Sequence, residues 1–388
     1  MPSKPKIAAF TLVEMMVAMV LLMLLMLVTV YILNAVSAVD NRTRAKVDTF
    51  REARAGFEVM TRRVSTAMLN TYWDYEFPMS GGMPDRSKPP TKYVRQSELH
   101  YVSGPTRLGG ATALFASATA TTMLSVTHGL FLQTPQGLST SPTTVNANLP
   151  NLLNVSGYFV EYTTDKLDRP KFLQSGTPLP PERWRFRLTE LNQGSEYFQV
   201  YRATVAPVTI PAMDWFRAPL KRPAPTTEPA NTRVLAENVI ALVVYPHRSP
   251  NDPVPTGAPA QLAPLYFYDS RSYVTKPTDA TALLTRNQLP PMVQITMVVM
   301  DERSAERFQT SLGAAPQTIA PATDKLGLTT GTTGLFVKAS TISNPTPAQE
   351  KDQYTLDLAT LEKKLQDLNL IYRVFSTEVS ILQAKWSE

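Results

Sequence analysis

The sequence contains no cysteine. Disulfides, thiolate metal sites and cysteine nucleophiles are therefore excluded, although a cysteine-free chain suits oxidising and reducing compartments alike. Histidine is scarce. His100, His128 and His247 are the only three, and no two lie within four residues of each other. That spacing offers no zinc ligand pair, and each reads as a surface or strand histidine. No G-x-S-x-G, P-loop or G-x-G-x-x-G is present, so Gly81-Gly82 and Gly109-Gly110 read as loop glycines. There is no run of five or six basic residues, and the net charge of +6 is spread along the chain. A nucleic-acid arm is not indicated. Glycine is sparse and proline abundant, 16 against 33 in 388 residues. This balance favours extended, loop-rich and β-edge structure over a helical bundle. There is no internal repeat. Asp301-Glu302 carries carboxylates of the kind that ligate calcium, but the pair reads more simply as a solvated turn. Trp73, Trp184, Trp215 and Trp386 read as core or rim aromatics. Nothing supports an enzyme, a metal, a cofactor or a nucleic-acid partner.

The informative residues are concentrated at the N-terminus. Residues 1–9, MPSKPKIAA, are short and basic. From Met15 to Leu33 the residues are nearly all strongly apolar, with Thr29 and Tyr31 as mild exceptions. At ~1.5 Å rise per residue that run matches the ~30 Å hydrocarbon core of a bilayer. Apolarity all round the helix argues against a one-sided helix on a soluble core. Glu14 alone interrupts it; every later position up to Val39 is uncharged. A carboxylate in hydrocarbon costs a few kcal/mol and usually has a function; the plain alternative is a residue marking the membrane surface. Three readings compete. A secretory signal peptide could be cut after Ala38, behind small residues, but such apolar regions are normally ~7–15 residues. The segment could be an uncleaved anchor. The third reading uses Glu14.

Phe10-Thr11-Leu12-Val13-Glu14, followed by the apolar run, resembles the class III signal of type IV pilins and type II secretion pseudopilins. The resemblance implies cleavage by a prepilin peptidase between Ala9 and Phe10. It also implies N-methylation of Phe10, and pairing of Glu14 with the N-terminal amine of a neighbouring subunit. Ala9 stands where the family usually has glycine. Charge does not settle orientation, because Lys4 and Lys6 on one side face Arg42, Arg44 and Lys46 on the other. The resemblance places the leader in the cytoplasm and the bulk of the chain beyond the inner membrane.

Beyond Asn41 the apolar residues become periodic: Val47, Phe50, Ala53, Phe57, Met60, Val64 and Ala67. Spacings of three and four make a stripe that should pack on a sheet. With no proline between Lys6 and Phe77, a helix from Phe10 to about Leu69 is predicted, roughly 90 Å long. Residues 78–95 read as loop. Strands are predicted at Glu98–Val102, Thr121–Val126, Tyr158–Tyr162, Trp184–Leu188 and Phe198–Ala203. Pro-rich loops follow at Ala218–Ala230 and Pro246–Pro264. Buried strands are predicted in 235–246 and 289–302. The Leu289-Pro290-Pro291 start of the second, preceded by Val239 and Leu242, is similar to J-type minor pseudopilins. The run after Thr61 and the YRVFSTEV ending resemble C-type proteins of the Verru_Chthon cassette group.

The expected fold is α+β: a long N-terminal helix on an antiparallel β-sheet head, in the lollipop form of pilins, with large loop insertions. The expected divisions are 1–9 leader, 10–38 transmembrane helix, 39–72 amphipathic helix and 73–302 β-rich head. A Thr/Ala/Pro-rich insertion at 303–355 and a short helix with strands at 356–388 complete the chain. The expected role is a minor pseudopilin with prepilin peptidase, other pseudopilins, the membrane and exported protein cargo as partners. The alternative is a membrane-tethered or secreted binding domain that uses the N-terminal segment only for export.

Overall fold

The computed structural model describes residues 11–81, 83–106, 113–115, 125–139, 149–166, 169–174, 179–200, 213–220, 231–249, 261–313, 319–328, 334–338 and 347–384. The chain divides into two compact units, Met1–Asp48 and Thr49–Glu388. Helix α1, Leu12–Ser65, contributes to both. Among the described residues the second unit contains thirteen strands: β1 Tyr72–Glu76, β2 Met79–Ser80, β3 Met83–Pro84, β4 Lys92–Gln96, β5 Val102–Pro105, β6 Ser125–Pro135, β7 Leu153–Thr164, β8 Trp184–Gln193, β9 Thr232–Glu237, β10 Val239–His247, β11 Tyr268–Asp269, β12 Met292–Met300 and β13 Tyr372–Ser380. Its further helices are α2 Lys171–Gln174, α3 Asp214–Leu220, α4 Ala280–Leu284, α5 Glu302–Ser311, α6 Ile319–Leu326 and α7 Pro347–Asp367.

From Phe50 to Val64 the predicted stripe is the buried face of the later part of α1, whereas Val47, its first residue, is exposed. Phe50, Ala53, Phe57, Met60 and Val64 are all buried. Phe57 lies 6.0 Å from the ring of Phe375 on β13, and the Arg373 guanidinium covers Phe50 at 5.5 Å. Each large apolar side chain buried in this way contributes about 1.5–3 kcal/mol. The helix stops at Ser65 rather than near Leu69. Ser65 and Thr66 turn their hydroxyls onto the carbonyls of Arg62 and Arg63. Met68 then bonds the backbone of Gln133, and Asn70 takes a positive φ of 48°. Hydroxyls that satisfy the last carbonyls let the chain leave the helix and join β6.

Strands β5 to β9 form an antiparallel meander, closed on one side by β11, in the order β11-β5-β6-β7-β8-β9. Gly157 on β7 faces Phe131 on β6, and a Cβ there would strike the Phe131 ring. The ring is thereby free to stack on Phe216 at 4.1 Å, the centre of an aromatic core with Phe115 and Phe159. The chain changes sheet at Asn238. Its φ of 62° and a bulge between Val239 and Ala241 turn β9 into β10, which opens a second sheet, β10-β12-β13. The runs predicted at 235–246 and 289–302 thus hold β10 and β12, antiparallel neighbours.

β10 packs against β5, β6, β7 and β8. A bulge in β6 between Val126 and Gly129 presents Thr127 and His128 to its edge. The Leu242 N–H donates to Thr127 Oγ1 at 3.0 Å, and the Val244 N–H donates to His128 Nδ1 at 3.0 Å. Two side chains therefore satisfy a strand edge that would otherwise be open. His128 is fully buried rather than at the surface, and so is His100.

Other elements differ from the sequence reading. β5 begins where the Glu98–Val102 strand was predicted to end, and residues 198–200 are not strand; 201–203 lie outside the described residues. The stretch expected as an insertion holds α5, α6 and the start of α7. Asp301 caps α5, accepting from the Ser304 N–H at 2.9 Å. Glu302 accepts from Arg183, Arg185 and Asn238. Burial raises the Glu302 pKa, but those hydrogen bonds and arginine charges outweigh it and hold the carboxylate below its ordinary value. The Asp301-Glu302 pair is therefore a helix cap and an ion-pair centre.

Candidate functional site

Ala9 and Phe10 lie outside the described residues; Glu14 is described. It stands in the first turn of α1, where a carboxylate meets the positive end of the helix dipole. Thr11 precedes the helix. Its N–H and its hydroxyl both donate to Glu14 Oε2 at 2.9 Å, and the Glu14 N–H donates back to Thr11 Oγ1 at 3.3 Å. This is a capping box: Thr-x-x-Glu satisfies helix-start donors that have no intrahelical partner. Glu14 Oε1 makes no hydrogen bond among the described residues. One oxygen thus fixes the start of the helix. Thr11 figures in the sequence only as a member of the Phe10–Glu14 motif; its capping role is what the structure adds.

Behind this turn, Leu12–Asp40 has a mean hydropathy of 2.9 over its most apolar window and no buried residue there. Among the described residues it is the one helix long and apolar enough to cross a membrane. A core helix of a soluble protein has a buried face; this segment has none. At ~1.5 Å per residue its 29 residues extend about 43 Å, more than the ~30 Å hydrocarbon core. The Thr29 hydroxyl donates to the Leu25 carbonyl at 2.7 Å, which satisfies that polar group within the helix. Charge resumes with Asp40, which pairs with Arg44 at 2.8 Å.

The sequence pattern described as the prokaryotic N-terminal methylation motif matches residues 4–30. That motif is consistent with a type IV pilin-like N-terminal segment. The match begins at residue 4, takes in the capping box and most of the apolar helix, and ends before the second unit. No curated protein matches the chain. No solved structure matches it.

Titratable groups buried in the head serve its architecture. The His100 Nε2–H donates to Asp269 Oδ1 at 2.6 Å, while its Nδ1 accepts the indole N–H of Trp215 at 2.8 Å. The buried Glu190 carboxylate on β8 pairs with Arg63 of α1 and with Arg233 of β9, and accepts from the Tyr158 hydroxyl at 3.0 Å. This cluster fixes the end of α1 to the sheet. Among the described residues no group of three or more His, Asp or Glu side chains could hold a metal ion. Of the tryptophans, Trp215 is fully buried and Trp73 is 57% exposed; Trp386 lies outside the described residues.

Proposed function

We propose that this chain is a structural subunit, a J-like minor pseudopilin of a type II secretion pseudopilus or a related type IV filament. The observation that carries the reading is the methylation motif at residues 4–30 on an unburied apolar helix with Glu14 in its first turn. Prepilin peptidase cuts between Ala9 and Phe10, and the new amine of Phe10 is methylated. The helix then lies in the inner membrane as a single pass, with the head in the periplasm. Glu14 Oε1 accepts the Phe10 amine of a neighbouring subunit while Oε2 keeps the Thr11 contacts. Opposite charges in an apolar bundle attract far more strongly than in water, and pairing relieves the cost of holding a lone carboxylate among lipids. It also sets register between helices that would otherwise slide. The head takes no part in chemistry; it adorns or caps the filament and contacts exported protein cargo.

The test is Glu14→Ala in cells that express the other pilin-like subunits. Cleavage and membrane insertion should continue, and copurification with the other subunits should fall sharply. Undiminished copurification would return Glu14 to a helix cap at the membrane surface and overturn the assembly reading.

A further inference from the structure

The ribbon formed by β1 and β4 belongs to neither sheet. Its register sets Trp73 opposite Arg95 and Tyr75 opposite Tyr93. These four side chains share one face of the ribbon. The Arg95 guanidinium lies over Trp73 at 5.2 Å. The rings of Tyr75 and Tyr93 have centroids 4.3 Å apart with planes at 42°, and the Tyr93 hydroxyl donates to that of Tyr75. Packing of two aromatic rings across strands needs no contact between hydroxyls and gains most from burial. Here the hydroxyls meet, and the rings are open to solvent, 46% and 58%. Two phenols held oxygen to oxygen also bring together the ring carbons ortho to those oxygens, the positions at which tyrosyl radicals couple.

We propose that Tyr75 and Tyr93 are an intrachain dityrosine site, oxidised by hydrogen peroxide through a haem peroxidase-class catalyst. Each phenol gives up one electron and its hydroxyl proton. The peroxide takes both electrons and both protons, its O–O bond breaks, and two waters form. The two phenoxyl radicals join through one ortho carbon of each ring. The hydrogens on those carbons then move to the oxygens and restore both phenols, so the chain loses two hydrogens in all. The link spans a sequence separation of 18 residues. It constrains the unfolded chain as a disulfide would, in a protein with no cysteine. A two-stranded ribbon alone is marginal in water and gains most from such a brace. The inference stands on the ribbon and holds whichever role the N-terminal helix plays.

The experiment exposes the full chain, dilute in detergent micelles, to haem peroxidase and hydrogen peroxide. The monomer should lose the mass of two hydrogens and gain dityrosine fluorescence. Its tryptic map should contain one pair of peptides joined through Tyr75 and Tyr93. Tyr75→Phe and Tyr93→Phe should each abolish the product, and Tyr197→Phe, at another exposed tyrosine, should retain it. Links formed between chains rather than within one would overturn the proposal. So would a product that survives either ribbon variant, or oxygen addition at Trp73 with no link in the wild-type map. The wild-type map decides the matter even where a variant folds poorly.

Discussion

Acid should loosen the junction between the two sheets of the head through His128. Its Nδ1 accepts the Val244 N–H, so the proton sits on Nε2, which donates to the Phe336 carbonyl at 2.8 Å. Burial pushes the imidazole down from 6.5 to about 4, against the smaller opposite effect of the Phe336 and Val244 carbonyls, which lie 2.8 and 3.2 Å from the ring nitrogens. Because the folded value lies below the unfolded one, the unfolded chain binds more protons between those limits. Stability from this group is complete above about pH 6.5 and is lost as pH falls toward about 4. The difference between the two values corresponds to about 3 kcal/mol, most of it lost between about pH 7 and about pH 4.5. Urea unfolding of the full chain in micelles, followed by the fluorescence of buried Trp215, measures it. His128→Gln should be less stable at neutral pH and should lack this part of the pH dependence. Parallel loss of stability in the wild type and His128→Gln would refute the assignment.

Three further outcomes follow from the geometry. Arg63→Met leaves the buried Glu190 with Arg233 as its remaining ion-pair partner, and should destabilise the head by about 3 kcal/mol in urea titration. Adding Glu190→Leu should recover a large part of that loss, because no buried carboxylate then lacks its second cation. Gly157→Ala drives a methyl into the Phe131 ring and should cost about 1–3 kcal/mol by thermal unfolding. Thr11→Val removes the hydroxyl of the capping box and should weaken the first turn by about 1 kcal/mol, read as faster amide exchange there, while Thr11→Ser restores it.

The parts of the fold legible in the sequence are those in which one physical cause acts alone. Uniform apolarity defined the N-terminal helix, and the stripe from Phe50 to Val64 defined its buried face. Val239–His247 and Met292–Met300 were visible because both are buried runs rich in β-branched residues. Elements that depend on partners were not. β1 and β4 carry exposed aromatics and a single buried residue, Val94, so little in YWDYE or KYVRQ marks a ribbon. α5 did leave a trace, an Asp301 cap followed by Ala305, Phe308 and Leu312 at helical spacing, but the Thr/Ala/Pro-rich composition around it obscured the signal. The change of sheet rests on the backbone of Asn238, which hydropathy does not register. Burial of His100 and His128 depends on Trp215, Asp269, Val244 and Phe336, all distant in sequence. At the candidate site, Glu14 stood out as a charge in an apolar run, whereas Thr11 required its capping geometry to be considered.

The central claim is that the N-terminal segment is processed as a pilin-like signal and then holds the chain in a filament. The most direct measurement is the intact mass and N-terminal residue of the protein taken from the membrane fraction. The account predicts a chain that begins at Phe10, with or without one added methyl group. A chain beginning at Val39 would identify an export signal removed after Ala38, and an unprocessed Met1 would identify a plain anchor; either contradicts the account.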